Sequence, residues 1–303
     1  MPMKNALQSR LLFYLLLASL PSACTSSSKL QTLKVSSDLS PVALRFSPQL
    51  NYSDVTQYKT RAITRSYLGG EIASKVQENS DFSVETKITG VDSERRLIDY
   101  SVRTLDKEGK LDLADFAMPE VGETIDFQIT ESGQVIKAGD FPPGTIYFLP
   151  PVSLPGKEVK IGDTWDMTAS WVSAKSGIPL EMSIASILTN LRDCGTVGRC
   201  AEIDISGHVT IKGIPQNPIA SKTLDNKEVS MRFRSQLKGK VILAASSGIT
   251  LYSVVRSDEH LSGENQHVDI SSCTISYVKE PKDHRVVTEG KLDCNPEGDL
   301  QPL

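Results

Sequence analysis

The chain of 303 residues is 39% hydrophobic and 23% charged, values typical of a globular protein with its own apolar core. Its net charge is −4 and its pI is near 5.7, so the sequence offers no strongly basic surface for nucleic acid or anionic lipid. We therefore expect no nucleic-acid partner. The length allows one large or two ordinary domains.

The N-terminus has the three parts of a secretory signal peptide. Residues 1–10 are basic without an acid, residues 11–20 are an apolar run (LLFYLLLASL), and residues 21–23 (PSA) close it. The apolar run is too short for a membrane span, which needs roughly 20 apolar residues. The pattern predicts a signal peptide over residues 1–23.

Cys24 follows this segment directly, and together with residues 20–23 (LPSA) it resembles the lipobox of bacterial prolipoproteins. The match departs from the family pattern at Pro21, where a branched residue usually stands. The resemblance implies cleavage before Cys24, acylation of that residue with palmitate-like chains, and attachment to the membrane through the lipid. Because Thr25 is not the Asp that retains many such proteins in the inner membrane, the resemblance also implies the outer membrane. The alternative is an ordinary signal peptide followed by an unmodified cysteine.

The mature chain begins with a polar segment and then changes to strands. Residues 24–41 are rich in Ser and Thr and predict a disordered tether for the lipidated cysteine. From residue 42 apolar residues alternate with polar ones, as in Phe82, Val84, Thr86 and Ile88, which predicts half-buried antiparallel strands. Helical periodicity is almost absent, and only residues 185–191 fit either structure.

A proline-rich segment divides the strands into two groups. Residues 141–156 (FPPGTIYFLPPVSLPG) contain five prolines, which cannot donate to a sheet ladder, so we predict an extended connector that packs through its IYFL centre. Residues 42–140 and 157–280 each run from a long strand to a hairpin with Ser-Gly at its turn, which suggests two similar halves. The tail is residues 281–303.

These patterns predict a mainly β fold of long antiparallel strands in two similar halves, with little helix, forming half-barrels, small barrels or a sandwich. This arrangement resembles uncharacterised β-rich envelope lipoproteins of bacteria. It is also distantly similar to the half-barrel carriers that move lipidated proteins across the periplasm. The similarity is architectural, so it implies no site residues.

Four further cysteines support export: Cys194, Cys200, Cys273 and Cys294. An even number in an exported chain predicts two disulfides, and four cysteines allow three pairings. Proximity in sequence favours Cys194–Cys200 and Cys273–Cys294, the second of which would tether the tail. A metal site is the alternative, but the chain has no C-x-x-C and no His at ligand spacing from either pair.

Catalytic and cofactor motifs are missing from the sequence, including G-x-S-x-G, H-E-x-x-H and the phosphate loop. We expect no cofactor. The densest polar cluster is Asp258, Glu259, His260, Glu264, His267 and Asp269, whose residue types could hold a divalent cation, but a solvated hairpin loop explains it better. Trp165 and Trp171 share one face of a strand, where core packing is favoured over a ligand groove.

Two classes of function follow from these observations. The first is a non-catalytic envelope protein that binds a partner protein or an apolar ligand on its sheet. The second is a periplasmic or surface enzyme that uses the polar cluster at residues 258–269. The absence of catalytic motifs favours the first class.

Overall fold

The structure is a computed structural model that describes residues 29–30, 33–113, 118–140, 153–172, 179–212, 219–222, 228–263, 266–284, 288–289 and 294–298. The predicted signal peptide, Cys24, Glu264 and most of the proline-rich segment lie outside the described residues. The backbone of Trp171 is described, but its side chain is not.

The described chain is mainly β-strand, without an α-helix among the described residues, which confirms the predicted mainly β fold. The strands up to residue 159 are β1 (Lys29–Leu30), β2 (Val42–Ala43), β3 (Ser53–Leu68), β4 (Glu71–Asp92), β5 (Leu97–Gly109), β6 (Thr124–Thr130), β7 (Val135–Ala138) and β8 (Glu158–Val159). Those that follow are β9 (Thr164–Val172), β10 (Pro179–Asp193), β11 (Arg199–Ile211), β12 (Ile219–Lys222), β13 (Glu228–Ala244), β14 (Thr250–Ser262), β15 (Gln266–Glu280) and β16 (Thr288–Glu289). The ambiguous residues 185–191 belong to strand β10, and two short 3-10 helices cover Gly195–Val197 and Lys282–His284.

The two predicted halves join in one open antiparallel sheet. Its order is β7-β6-β5-β4-β3-β15-β14-β13-β11-β10-β9, with β12 paired to β13 beside this path. The first long strand, β3, therefore pairs with the last, β15, while neighbouring strands elsewhere are mostly consecutive in sequence. The path ends at β7 and β9, on either side of the proline-rich segment, where prolines cannot continue a ladder. The sheet is consequently not closed into a barrel within the described residues.

One end of the sheet is covered by two crossing segments, residues 42–47 and 153–159, which we call the plug. Strands β2 and β8 pair within it. The Phe46 N–H donates to the Glu131 carbonyl at the β6–β7 turn over 2.7 Å, and the next N–H donates to the Ser247 carbonyl at the β13–β14 turn over 2.8 Å. The plug thus links hairpin turns from both halves of the chain.

The inner face of the sheet is the face that carries the two large apolar clusters. One cluster lies on β9–β13 and the plug, with Leu188, Ile203 and Leu243 completely buried. The other lies on β4–β7 around Phe82 and Val102. Trp165 packs against the first cluster, as the core-packing prediction requires.

The outer face is the opposite face of the sheet. Its apolar cluster contains Cys200, Cys273 and Cys294, and Leu33 packs against it. Residues 34–36, within the predicted tether, hydrogen-bond to the end of β10, for example from the Ser36 N–H to the Leu191 carbonyl over 2.9 Å. The described part of the tether is therefore held against the sheet.

The cysteines pair as proximity in sequence predicted. Cys194 bonds to Cys200, and Cys273 on β15 bonds to Cys294 in the tail. Disulfides indicate a non-cytoplasmic, oxidising compartment. No helix among the described residues is long and apolar enough to span a membrane.

Candidate functional site

The predicted polar cluster lies on strands rather than in a hairpin loop. Asp258 and His260 lie on β14, and His267 and Asp269 lie on β15, all toward the outer face because alternate residues of a strand share a face. Glu259 has the opposite parity, and it accepts a 3.2 Å hydrogen bond from the Ser257 hydroxyl. The expectation of a solvated loop was wrong because β14 extends to Ser262 and β15 begins at Gln266, which leaves only three residues between them.

The outer-face members of this cluster pair with one another or with their neighbours. The Nδ1 atom of His260 lies 2.6 Å from Asp269 Oδ1, and the His267 ring stacks on Tyr67 at a centroid distance of 4.0 Å. Asp258 accepts a 2.8 Å hydrogen bond from Ser271. Within the described ranges, no three His, Cys, Asp or Glu side chains are grouped so that they could hold a metal ion. The cluster is thus largely self-satisfied.

A groove of about 1050 Å³ lies beside this cluster, against β9, β10, β11 and β13. The groove-lining residues that belong to the apolar core, Met167, Ile184 and Leu237, are each no more than 9% exposed. The alternate residues, such as Thr168, His208 and Gln236, are exposed. The groove therefore opens on the outer face, the same face as the predicted polar cluster.

Most of the polar side chains that line the groove have no partner among the described residues. Within the part of the chain that the structure describes, eight of those on the outer face form no hydrogen bond or ion pair: Asp166, Thr168, Ser183, Ser206, His208, Arg234, Gln236 and Lys238.

Next to the groove on the same face, several charged side chains are paired. Lys240 contacts Glu202 and Asp204, each at 2.7 Å, and Arg256 contacts Asp258 at 3.1 Å. In the groove, by comparison, unpaired polar groups from four neighbouring strands lie together and are available to a ligand.

The floor of the groove is made of small residues, and its β13 wall is cationic. Ser183, Ala185 and Ser206 lie there, on β10 and β11. Arg234 and Lys238 lie on one face of β13, four residues apart, and Lys238 is directly opposite Arg256. Asp166 lies on the far wall, on β9.

The sequence did not identify this groove. Ser206 and His208 follow the outward parity of a strand recognisable in the sequence, but a polar outward residue is the ordinary case for a half-buried strand. The signal is the lack of partners, which depends on strands distant in sequence. No model of a known protein family and no curated protein sequence matches this chain.

Proposed function

We propose that this protein is a lipid-anchored envelope protein that binds a partner protein, without catalysis, in the groove on β9–β13. The observation that carries the proposal is the set of eight outer-face polar side chains that line one groove without partners inside the described protein. Protein interfaces combine complementary shape with hydrogen bonds to such side chains, and a concave polar surface supplies both.

An apolar ligand has less support from the geometry. A carrier needs large apolar side chains around a hollow, whereas the largest inner-face side chains pack against one another. Phe82, Leu188 and Leu243, for instance, have no exposed surface. The groove opens on the other face, where most of the exposed lining side chains, such as Thr168, His208 and Gln236, are polar. A polypeptide surface matches that chemistry better than an acyl chain does.

The expected anchor leaves the groove accessible. Cys24 and Leu33 are nine positions apart, a stretch that spans about 30 Å at full extension. Residues 34–36 are bound at the plugged end of the sheet, so that end would face the membrane. Strands β11 and β13 run from there for 13 and 17 residues, which carries the groove away from the lipid.

The proposal is tested by photo-crosslinking in intact cells. A benzophenone amino acid replaces Thr168 or Gln236 in the groove, or exposed Lys87 on β4 as the matched control. We expect one protein adduct of the same mass from both groove positions and none from Lys87. The identified partner, once purified, should slow amide hydrogen exchange in β9–β13. Absence of an adduct, or equal adducts from Lys87, would reject the groove as the binding surface.

A further inference from the structure

We infer that the partner presents an extended acidic segment to the groove, running along β13. This inference rests on the proposed function and adds the chemistry of the partner. Its basis is the distribution of charge: the whole chain carries a net charge of −4, yet the β13 wall of the groove carries Arg234 and Lys238. Neither side chain has an ion-pair partner within the described residues.

The spacing of the two cations fits an extended chain. Residues four apart in a strand are separated by about 13 Å, and a bound extended peptide has the same rise per residue. Gln236 lies between the two cations on the same face. Carboxylates four residues apart on a peptide beside β13 would therefore meet Arg234 and Lys238 together.

The opposite wall favours a polypeptide over an inorganic polyanion. Asp166 can only accept hydrogen bonds when ionised, and it would repel a polyphosphate that has no donors. Peptide N–H groups can donate to this carboxylate. The hydroxyls of Thr168, Ser183 and Ser206 serve either donors or acceptors. A chain of amides with acidic side chains on one edge satisfies both walls.

The neighbouring charges on the outer face do not cancel the cationic wall. Arg234 lies opposite His260, whose Nδ1 is already engaged with Asp269, and Lys238 lies opposite Arg256, which is paired with Asp258. The acids nearest to β13 on this face are thus already committed, which leaves Arg234 and Lys238 available to an acidic partner.

The test uses the mature full-length protein in detergent and a fluorescein-labelled octapeptide that alternates glutamate with serine. Fluorescence anisotropy should report saturable binding that weakens with salt. The double variant Arg234→Glu/Lys238→Glu should bind about ten-fold more weakly. The matched control Lys87→Glu/Lys110→Glu, which changes the net charge equally at exposed positions, should bind as the unmodified protein does.

Two further arms separate the ligand classes. Inorganic polyphosphate should bind more weakly than the peptide, and Asp166→Ala should weaken peptide binding while it strengthens polyphosphate binding. The inference is overturned if no peptide binds, if both double variants lose binding equally, or if polyphosphate binds the unmodified protein as tightly. A groove adduct in cells without peptide binding would reject the acidic segment and leave the proposed function standing. If neither a groove adduct nor peptide binding is found, both the proposed function and the acidic segment are rejected.

Discussion

The indole N–H of Trp165 donates a 2.7 Å hydrogen bond to the backbone carbonyl of Ser153. The Ser153 hydroxyl in turn donates to the carbonyl of Ser132, at 3.2 Å. Trp165 lies on β9 and Ser132 in the β6–β7 turn, so a single plug residue spans between the two edge regions of the sheet. The sheet thus remains open along its seam but is bridged at the plugged end, which makes the plug a second link between the two halves beside the pairing of β3 with β15.

Phe46→Ala should destabilise the whole protein, because Phe46 packs against all three apolar clusters. We expect a loss of about 2 kcal/mol in the free energy of unfolding, below the range for a fully buried Phe because the side chain is half-buried. Urea denaturation measures it, and Phe46→Leu should lose clearly less. Separate transitions for the two halves in the variant would show that Phe46 couples them, whereas an unchanged midpoint would contradict its role.

Glu202 should make stability depend on acid pH. Its side chain is 3% exposed and contacts Arg192 at 2.5 Å and Lys240 at 2.7 Å. Burial opposes ionisation, but the hydrogen bonds from these two cations outweigh it and hold the pKa of Glu202 below its ordinary value. The contribution is therefore present above the ordinary glutamate pKa and is lost as pH falls through the lowered value.

Glu202→Gln should cost about 3 kcal/mol at pH 7, because it leaves two cations without their buried counter-ion. Unfolding in urea at pH 7 and at pH 3 measures the difference, which should shrink at the lower pH. Asp204→Asn is the control, since Asp204 is 45% exposed and its ion pair with Lys240 is screened by water. Equal costs for the two variants would contradict the assignment.

Asp54 should have the opposite effect on the pH dependence of stability, so that its contribution to the free energy of unfolding falls as pH rises. It is 7% exposed and accepts a 3.5 Å hydrogen bond from the Thr56 hydroxyl. Burial raises the pKa of Asp54 to about 7, although interactions with Tyr52 and Thr56 oppose the shift. The unfolded chain loses this proton near pH 4 and the folded chain only near pH 7. Asp54 thus lowers stability progressively as pH rises between these values, and the loss is complete above them.

Asp54→Asn should remove that loss and stabilise the protein at pH 8 by on the order of 3 kcal/mol, with little effect near pH 4. Melting temperatures of both proteins across pH 4–8 provide the measurement. A constant difference at every pH would show that the amide acts through packing and not through ionisation.

Cys24→Ala should release the protein from membranes, since the resemblance to prolipoproteins assigns the anchor to this residue alone. Fractionation of cells should move the variant to the soluble fraction, while a Thr25→Ala control stays with the membrane. The intact mass of the native protein should correspond to residues 24–303 with acyl chains and two disulfides. Membrane attachment of Cys24→Ala would reject lipid anchoring.

The sequence by itself determined the strands, the disulfide pairs and the place between β7 and β9 where the path of the sheet ends. Alternation such as Ile98, Tyr100 and Val102 follows from the two-residue period of a half-buried strand, which is a local property. The cysteine pairs are close in sequence, and prolines exclude a ladder wherever they lie. The limits of the strands depended on tertiary contacts. In the sequence, residues 227–237 and 239–245 suggest two strands, whereas β13 runs through Gly239 without a break. Glycine allows this because a Cβ at that position would stand 2.8 Å from the Val254 carbonyl oxygen on β14.

Only the tertiary structure decided how the halves join and where the outer face offers unpaired polar groups. The pairing of β3 with β15 joins residues more than 190 positions apart, such as Arg65 and Asp269, and no local pattern encodes such a partner. For the same reason, the sequence shows His208 and Arg234 as isolated polar residues and His260 only as one member of a polar cluster. Whether each finds an intramolecular partner depends on the register between strands, and that register leaves His260 paired and the groove available.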